Sequence, residues 1–144
     1  MNRLNDFDHE KLDVCKVSVE FVILSNEIAE QLPQGKSYLA DQLQRASSSI
    51  SLNIAEGAGE CAGNKKCRFY RMAKRSATEC AAVLDLCSRL ELVEEAKHVK
   101  GREFLLRIVA MLQFFGLGFL PLERLPKNVL KCILEGMVLG GLTR

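Results

Sequence analysis

The sequence predicts an all-α fold, an antiparallel up-down-up-down four-helix bundle with a short C-terminal extension. Three observations carry that prediction. Apolar residues recur at alternating three- and four-residue spacing in four successive segments, the stripe of an amphipathic helix. The connections between those segments are short and marked by glycine, proline or charge. No segment alternates apolar and polar residues with the period of two that a half-buried strand requires.

In the first segment Val14, Val17, Phe21, Leu24 and Ile28 form the stripe, preceded by Asp6 and Asp8, which suit the positive end of a helix dipole. Pro33 disfavours helical geometry in the residue before it, so the first helix is expected over about residues 8–32. The second segment, residues 38–59, repeats the pattern with Leu39, Leu43, Ala46, Ile50, Ile54 and Gly57, and its small seam residues allow a neighbouring helix to approach closely. Glycines at 57, 59 and 63 punctuate its end, and Asn64 is the expected N-cap of the next helix. The third segment, expected over about residues 65–91, carries a heptad of Phe69, Met72, Ser76, Cys80, Val83, Cys87 and Leu90. After a charged connection, the fourth places Leu105, Ile108, Leu112 and Phe115 on one face. The bundle is therefore assigned to residues 1–118 and the extension to 119–144. The apolar extension, with a short helix expected from Lys127 to Leu139, is expected to pack on the bundle or on another copy.

A chain of 144 residues, 48% hydrophobic and 26% charged, is long enough to bury one core without disulfides or a structural metal. Its six cysteines match neither a C-x-x-C knuckle nor a secreted disulfide framework, which points to reduced thiols and a cytoplasmic protein. No secretory signal is expected near Met1, and the most apolar run, 108–122, is too short and too interrupted to span a membrane. Charge is uneven beneath a net of +2: residues 1–35 sum to −4, residues 36–78 to +5 and the remainder to +1. Such asymmetry suits either contact with a partner or packing between subunits.

Catalysis requires a nucleophile with a base, or carboxylates with a partner of opposite role. Ser47, Ser48 and Ser49 have no histidine near them, and His9 and His98 read as solvent-exposed residues near helix ends. Glu56 and Glu79 are placed to face each other between adjacent helices, but with two histidines at irregular spacing they make a poor metal site. The glycines at 57, 59 and 63 follow a helix, whereas a phosphate-cradling loop follows a strand. The reading is therefore no enzyme, no metal, no cofactor and no small-molecule substrate.

Two polar features remain. Gln42, Arg45, Ser49 and Glu56 run along one flank of the second helix, with Asn53 near its seam. A half-buried polar group must find partners, so these side chains, with Ser76 and Glu79 opposite, either hydrogen-bond across helices or subunits and set register, or contact a ligand. The second feature is a cluster of six cations, Lys65, Lys66, Arg68, Arg71, Lys74 and Arg75. Arg68, Arg71 and Arg75 share one sector, about 120° from the expected core stripe. Phe69 is assigned to the core and Tyr70 away from it, leaving few aromatics to stack on bases. This ridge is either a solvated face or a phosphate-binding surface of low sequence preference.

The run Leu39, Gln42, Leu43, Arg45, Ala46, Ser49, the element Asn53-Ile54-Ala55-Glu56-Gly57, and then Phe69, Ala73, Ser76 and Glu79 resembles a known family. These are the four-helix-bundle proteins encoded in intervening sequences of bacterial 23S rRNA genes, which include the accessory protein of diversity-generating retroelements. The likeness spans about residues 7–116. It implies a left-handed bundle assembled as a barrel-shaped homopentamer and, for the retroelement relatives, a basic surface for nucleic acid and a reverse transcriptase partner. Two positions depart from the pattern: Glu60 stands where a basic residue commonly follows the glycine, and Arg75 replaces a small residue before Ser76. The expected function is a non-enzymatic oligomer that binds structured RNA or an RNA–DNA hybrid through the ridge. The alternative is an assembly protein that recruits a protein partner such as a reverse transcriptase and uses its cations in subunit packing.

Overall fold

The computed structural model describes residues 6–116, so the expected boundary at 118 and the extension 119–144 lie outside the described residues. A short 3-10 helix, Asp8–Lys11, precedes four α-helices: α1 (Asp13–Gln31), α2 (Ser37–Gly59), α3 (Gly63–Arg89) and α4 (Glu95–Gly116). Each helix packs on the next and α1 closes against α4, which completes the four-helix bundle. The core lies along the centre, where Phe21, Ile28, Leu43, Ile50, Ile54, Leu84 and Ile108 are fully buried. Each such side chain stabilises the fold by about 1.5–3 kcal/mol relative to exposure. Buried hydroxyls do not offset that gain, because each is satisfied locally. Ser18 Oγ donates to Cys15 O at 2.7 Å, Ser25 Oγ to Phe21 O at 2.8 Å and Ser47 Oγ to Gln44 O at 3.1 Å.

The first helix does not run unbroken from residue 8. Leu12 is extended at φ −91° and ψ 127°, which separates the 3-10 turn from α1. Glu10 Oε2 accepts from Phe7 N at 2.6 Å, so the acidic residues organise a separate turn ahead of the long helix. Nor is Asn64 the N-cap of α3. Ala62 occupies that position, and the Asn64 carboxamide oxygen accepts from Lys65 N at 2.9 Å inside the first turn.

The register of α3 differs by one residue in its first half. Tyr70, Ala73 and Ala77 are buried with Cys80, Val83, Leu84 and Cys87, whereas Phe69 and Ser76 are half-buried and Met72 and Leu90 exposed. Shape explains the difference. A Cβ at Gly57 would stand 2.6 Å from Tyr70 Cε1, so the missing side chain is the notch that seats the ring. Ala73 and Ala77 continue that close approach of α3, which a search for large apolar residues passes over in favour of Phe69 and Met72. A second notch lies at Gly101, where a Cβ would meet Leu84 Cδ1 at 2.8 Å. At the far end of the fourth stripe, Leu105, Ile108 and Leu112 are buried, while Phe115 is exposed and rests against Tyr70 with ring centroids 6.2 Å apart.

Candidate nucleic-acid interface

Moving the core stripe of α3 also moves everything measured from it. With Tyr70, Ala73 and Ala77 facing inward, Arg68, Arg71 and Arg75 fall within about 60° of one another and point straight out, about 180° from the core. Lys65 and Lys74 are exposed beside them and Lys66 is half-buried. Among the described residues, none of the six side chains makes an ion pair or hydrogen bond. The ridge also begins at the wrong end of a helix for cations. The first turn of α3 holds no acidic residue and no side-chain cap, so the positive end of the helix dipole adds to the charges of Lys65, Lys66 and Arg68. The result is a concentration of positive charge along the first half of α3. Tyr70 is committed to the core, contrary to the outward placement expected for it, so it is not a stacking platform.

The polar strip of α2 divides into paired and unpaired members. Gln42 Nε2 donates to Glu79 Oε1 at 3.1 Å, and the hydroxyls of Ser49 and Ser76 lie 2.9 Å apart, both across the α2–α3 seam. Asn53, 8% exposed, stays within its own helix, its Nδ2 donating to Ser49 O at 2.8 Å and to Ser49 Oγ at 3.1 Å. It supports the Ser49–Ser76 contact and does not itself cross to α3. Glu56 does not face Glu79. The antiparallel register set by Ser49 and Ser76 places Glu79 opposite Gln42, about 21 Å along α2 from Glu56. Arg45 and Glu56 are not buried, and among the described residues neither has an ion pair or hydrogen bond. They stand at the two ends of a shallow surface groove that also contains Ser48, Leu52 and Met72.

A polar cluster between α3 and α4 went unrecognised in the sequence. Asp85 Oδ1 lies 2.9 Å from His98 Nε2, and Arg102 NH1 donates to both Asp85 oxygens at 2.9 and 2.8 Å. Hydrogen bonding to His98, then the bonds and charge of Arg102, hold the Asp85 carboxyl below its ordinary 3.8 against an opposing effect of burial. His98 is therefore not a free surface residue, its side chain being only 16% exposed. Its Nε2 meets Asp85, while its Nδ1 lies 3.9 Å from Glu95 Oε1 and has no hydrogen-bond partner among the described residues. The i, i+4 spacing of His98 and Arg102 was the available signal, but it carries meaning only once Asp85 is known to lie opposite. The buried thiols are held unreactive: burial, and then the charge of Glu79, pushes Cys80 up to about 12, and burial raises Cys15 and Cys87 in the same direction. Among the described residues no group of three or more His, Cys, Asp or Glu side chains is arranged to hold a metal ion, and no helix is long and apolar enough to cross a membrane.

The family model of the 23S rRNA-intervening sequence protein matches residues 10–114, from the 3-10 turn to the last turn of α4. The chain belongs to that family. No curated protein matches it. As a 23S rRNA-intervening sequence protein, it carries both the ridge and the polar strip inside the matched span, whereas the C-terminal extension falls outside it.

Proposed function

We propose that this protein is a non-enzymatic, cytoplasmic oligomer that binds structured RNA or an RNA–DNA hybrid electrostatically. The observation that carries this reading is the outward ridge of Arg68, Arg71 and Arg75, three guanidinium groups that have no ion pair or hydrogen bond among the described residues and that continue from the positive helix end at Lys65 and Lys66. Guanidinium groups offer paired donors that match phosphate oxygens, and without base stacking the contact reads backbone charge more than sequence. In a homopentamer, the assembly the family resemblance implies, five such ridges add into one field and raise avidity without any new contact. No small molecule, cofactor or metal enters this function.

The second reading is an assembly protein that recruits a protein partner such as a reverse transcriptase. It draws on Arg45 and Glu56, charges outside the ridge that are unpaired among the described residues. One titration separates the two. Labelled structured RNA is titrated with the parent protein and an Arg68→Ala/Arg71→Ala/Arg75→Ala variant at low and moderate salt. RNA binding is expected to weaken steeply with salt in the parent. The variant is expected to bind more weakly, with a log–log salt slope lower by about 1 for each phosphate it no longer neutralises. Absence of parent binding at low salt, or unchanged binding by a variant that still assembles, refutes the nucleic-acid reading.

A further inference from the structure

We propose that the outer face of α1 in one copy of this chain docks into the α2–α3 groove of the next, with Lys16 meeting Glu56, Val19 meeting Leu52 and Glu27 meeting Arg45. The inference rests on the oligomeric reading above and names the surfaces that build it.

Both faces are alike in design, and among the described residues both are unpartnered. On α1, Lys16, Val19, Ile23 and Glu27 are exposed and share a sector of about 80° opposite the core. On α2, Arg45, Ser48, Leu52 and Glu56 lie outside the core and share a sector of the same width. Val19 and Ile23 are 47% and 50% exposed, Leu52 and Met72 63% and 42%. Each face thus has an apolar middle between a cation and an anion. In both, the two charges are eleven residues apart, about 16 Å along the helix. Within one chain, Glu27, Arg45 and Glu56 have no ion partner among the described residues, and Lys16 reaches only the exposed Asp13 at 3.9 Å.

Register turns this likeness into complementarity. Ser51 Oγ donates to Ser18 Oγ at 2.9 Å and Gln44 Nε2 to Asn26 Oδ1 at 3.4 Å, which fixes how antiparallel α1 and α2 align. By that alignment the levels of Lys16, Val19, Ile23 and Glu27 fall within three residues, about 4.5 Å, of Glu56, Leu52, Ser48 and Arg45. A closed ring whose symmetry axis runs along the bundles has no axial shift between neighbours, so residues level in one chain are level across the interface. The same register then brings each cation to an anion and each apolar residue to an apolar or small one. The two faces are different surfaces of one molecule, so the contact is head-to-tail, as a ring requires. None of Arg68, Arg71 and Arg75 lines the groove.

The test is charge reversal read by light scattering. The parent is expected at a multiple of 16.1 kDa. Arg45→Glu and Glu27→Arg, each alone, are expected to shift the mass toward that of a single chain, and the two together in one chain to restore the assembly. Single variants that keep the parent mass, or a double variant no better than the singles, overturn the interface, as does a monomeric parent. Circular dichroism checks that the singles stay folded. If either does not, a Val19→Cys/Leu52→Cys/Cys61→Ser variant decides: a ladder of intermolecular disulfides on oxidation supports the contact, and its absence overturns it. A parent that assembles but fails to bind RNA refutes the nucleic-acid function separately, and the double variant still decides the interface.

Discussion

The two turns flanking α3 obey opposite logic. Between α3 and α4 the backbone requires a left-handed residue and does not use glycine. Glu91 takes φ 57°, Glu91 N donates to Ser88 O at 3.0 Å and Leu92 N to Cys87 O at 2.9 Å, the paired bonds of a Schellman ending. Between α2 and α3, glycines stand at 59 and 63 where neither a left-handed backbone nor a close neighbour calls for them. That turn also opens a helix on cations without an acidic residue or a side-chain cap. Sequences tend to break local rules where function asks for it. The α3–α4 end thus follows the local rules of a helix ending, whereas the α2–α3 end, where the ridge begins, departs from them.

The largest effect expected from perturbing this contrast is at Gly57, the one glycine of the α2–α3 end that packing does require. Gly57→Val puts branched carbons where a Cβ alone would lie 2.6 Å from Tyr70 Cε1 and 3.1 Å from Phe69 Cβ. A cost of about 3 kcal/mol is expected in denaturant unfolding, since a rigid ring cannot yield as a flexible chain does. Gly101→Ala, at the other end of the bundle, meets only the tip of Leu84 and gains helix propensity, so a change of less than about 1 kcal/mol is expected. Equal costs at the two sites would show that the Tyr70 notch is not special.

The next effects have the opposite sign. Glu91→Gly relieves a left-handed non-glycine residue and is expected to stabilise by about 1 kcal/mol. Gly63→Ala, in open space on the first turn of α3, is expected to stabilise by about 0.5 kcal/mol through lower unfolded-state entropy. Thermal melts decide both, and a destabilised Gly63→Ala would mean that its glycine serves the backbone after all.

The fold was legible because four amphipathic stripes and their breaks are local properties, each visible in ten to thirty residues. The core members of α1 and α2 followed from periodicity alone. The first half of α3 did not, because its register is decided by absent atoms: Gly57 admits Tyr70, and Ala73 and Ala77 bring the helices together. Periodicity weights large apolar residues and so preferred Phe69 and Met72. The cations of the ridge were legible as residues, while their direction depended on that register. Among the polar residues, the Ser49–Ser76 and Gln42–Glu79 pairs suited a reading of bonds across helices. Asp85, His98 and Arg102 were invisible because two helices had to be aligned before they met.

The smallest expected effect is the one that depends on pH. Hydrogen bonding to His98 and Arg102 lowers the Asp85 carboxyl in the folded protein, so the unfolded chain takes up the proton first as pH falls. The stability this contributes is present above the ordinary value of 3.8 and is lost as pH falls through the lower folded value. Asp85→Asn is therefore expected to be less stable than the parent at pH 7, with the deficit closing below pH 3.8. The Asp85 and Arg102 side chains are 48% and 40% exposed, so solvent screening keeps the deficit below about 1 kcal/mol. Urea unfolding of both proteins across that range measures it. A deficit that persists unchanged in acid would assign the cluster to packing, and the α3–α4 end would then owe its order to the Schellman ending and the Gly101 notch alone.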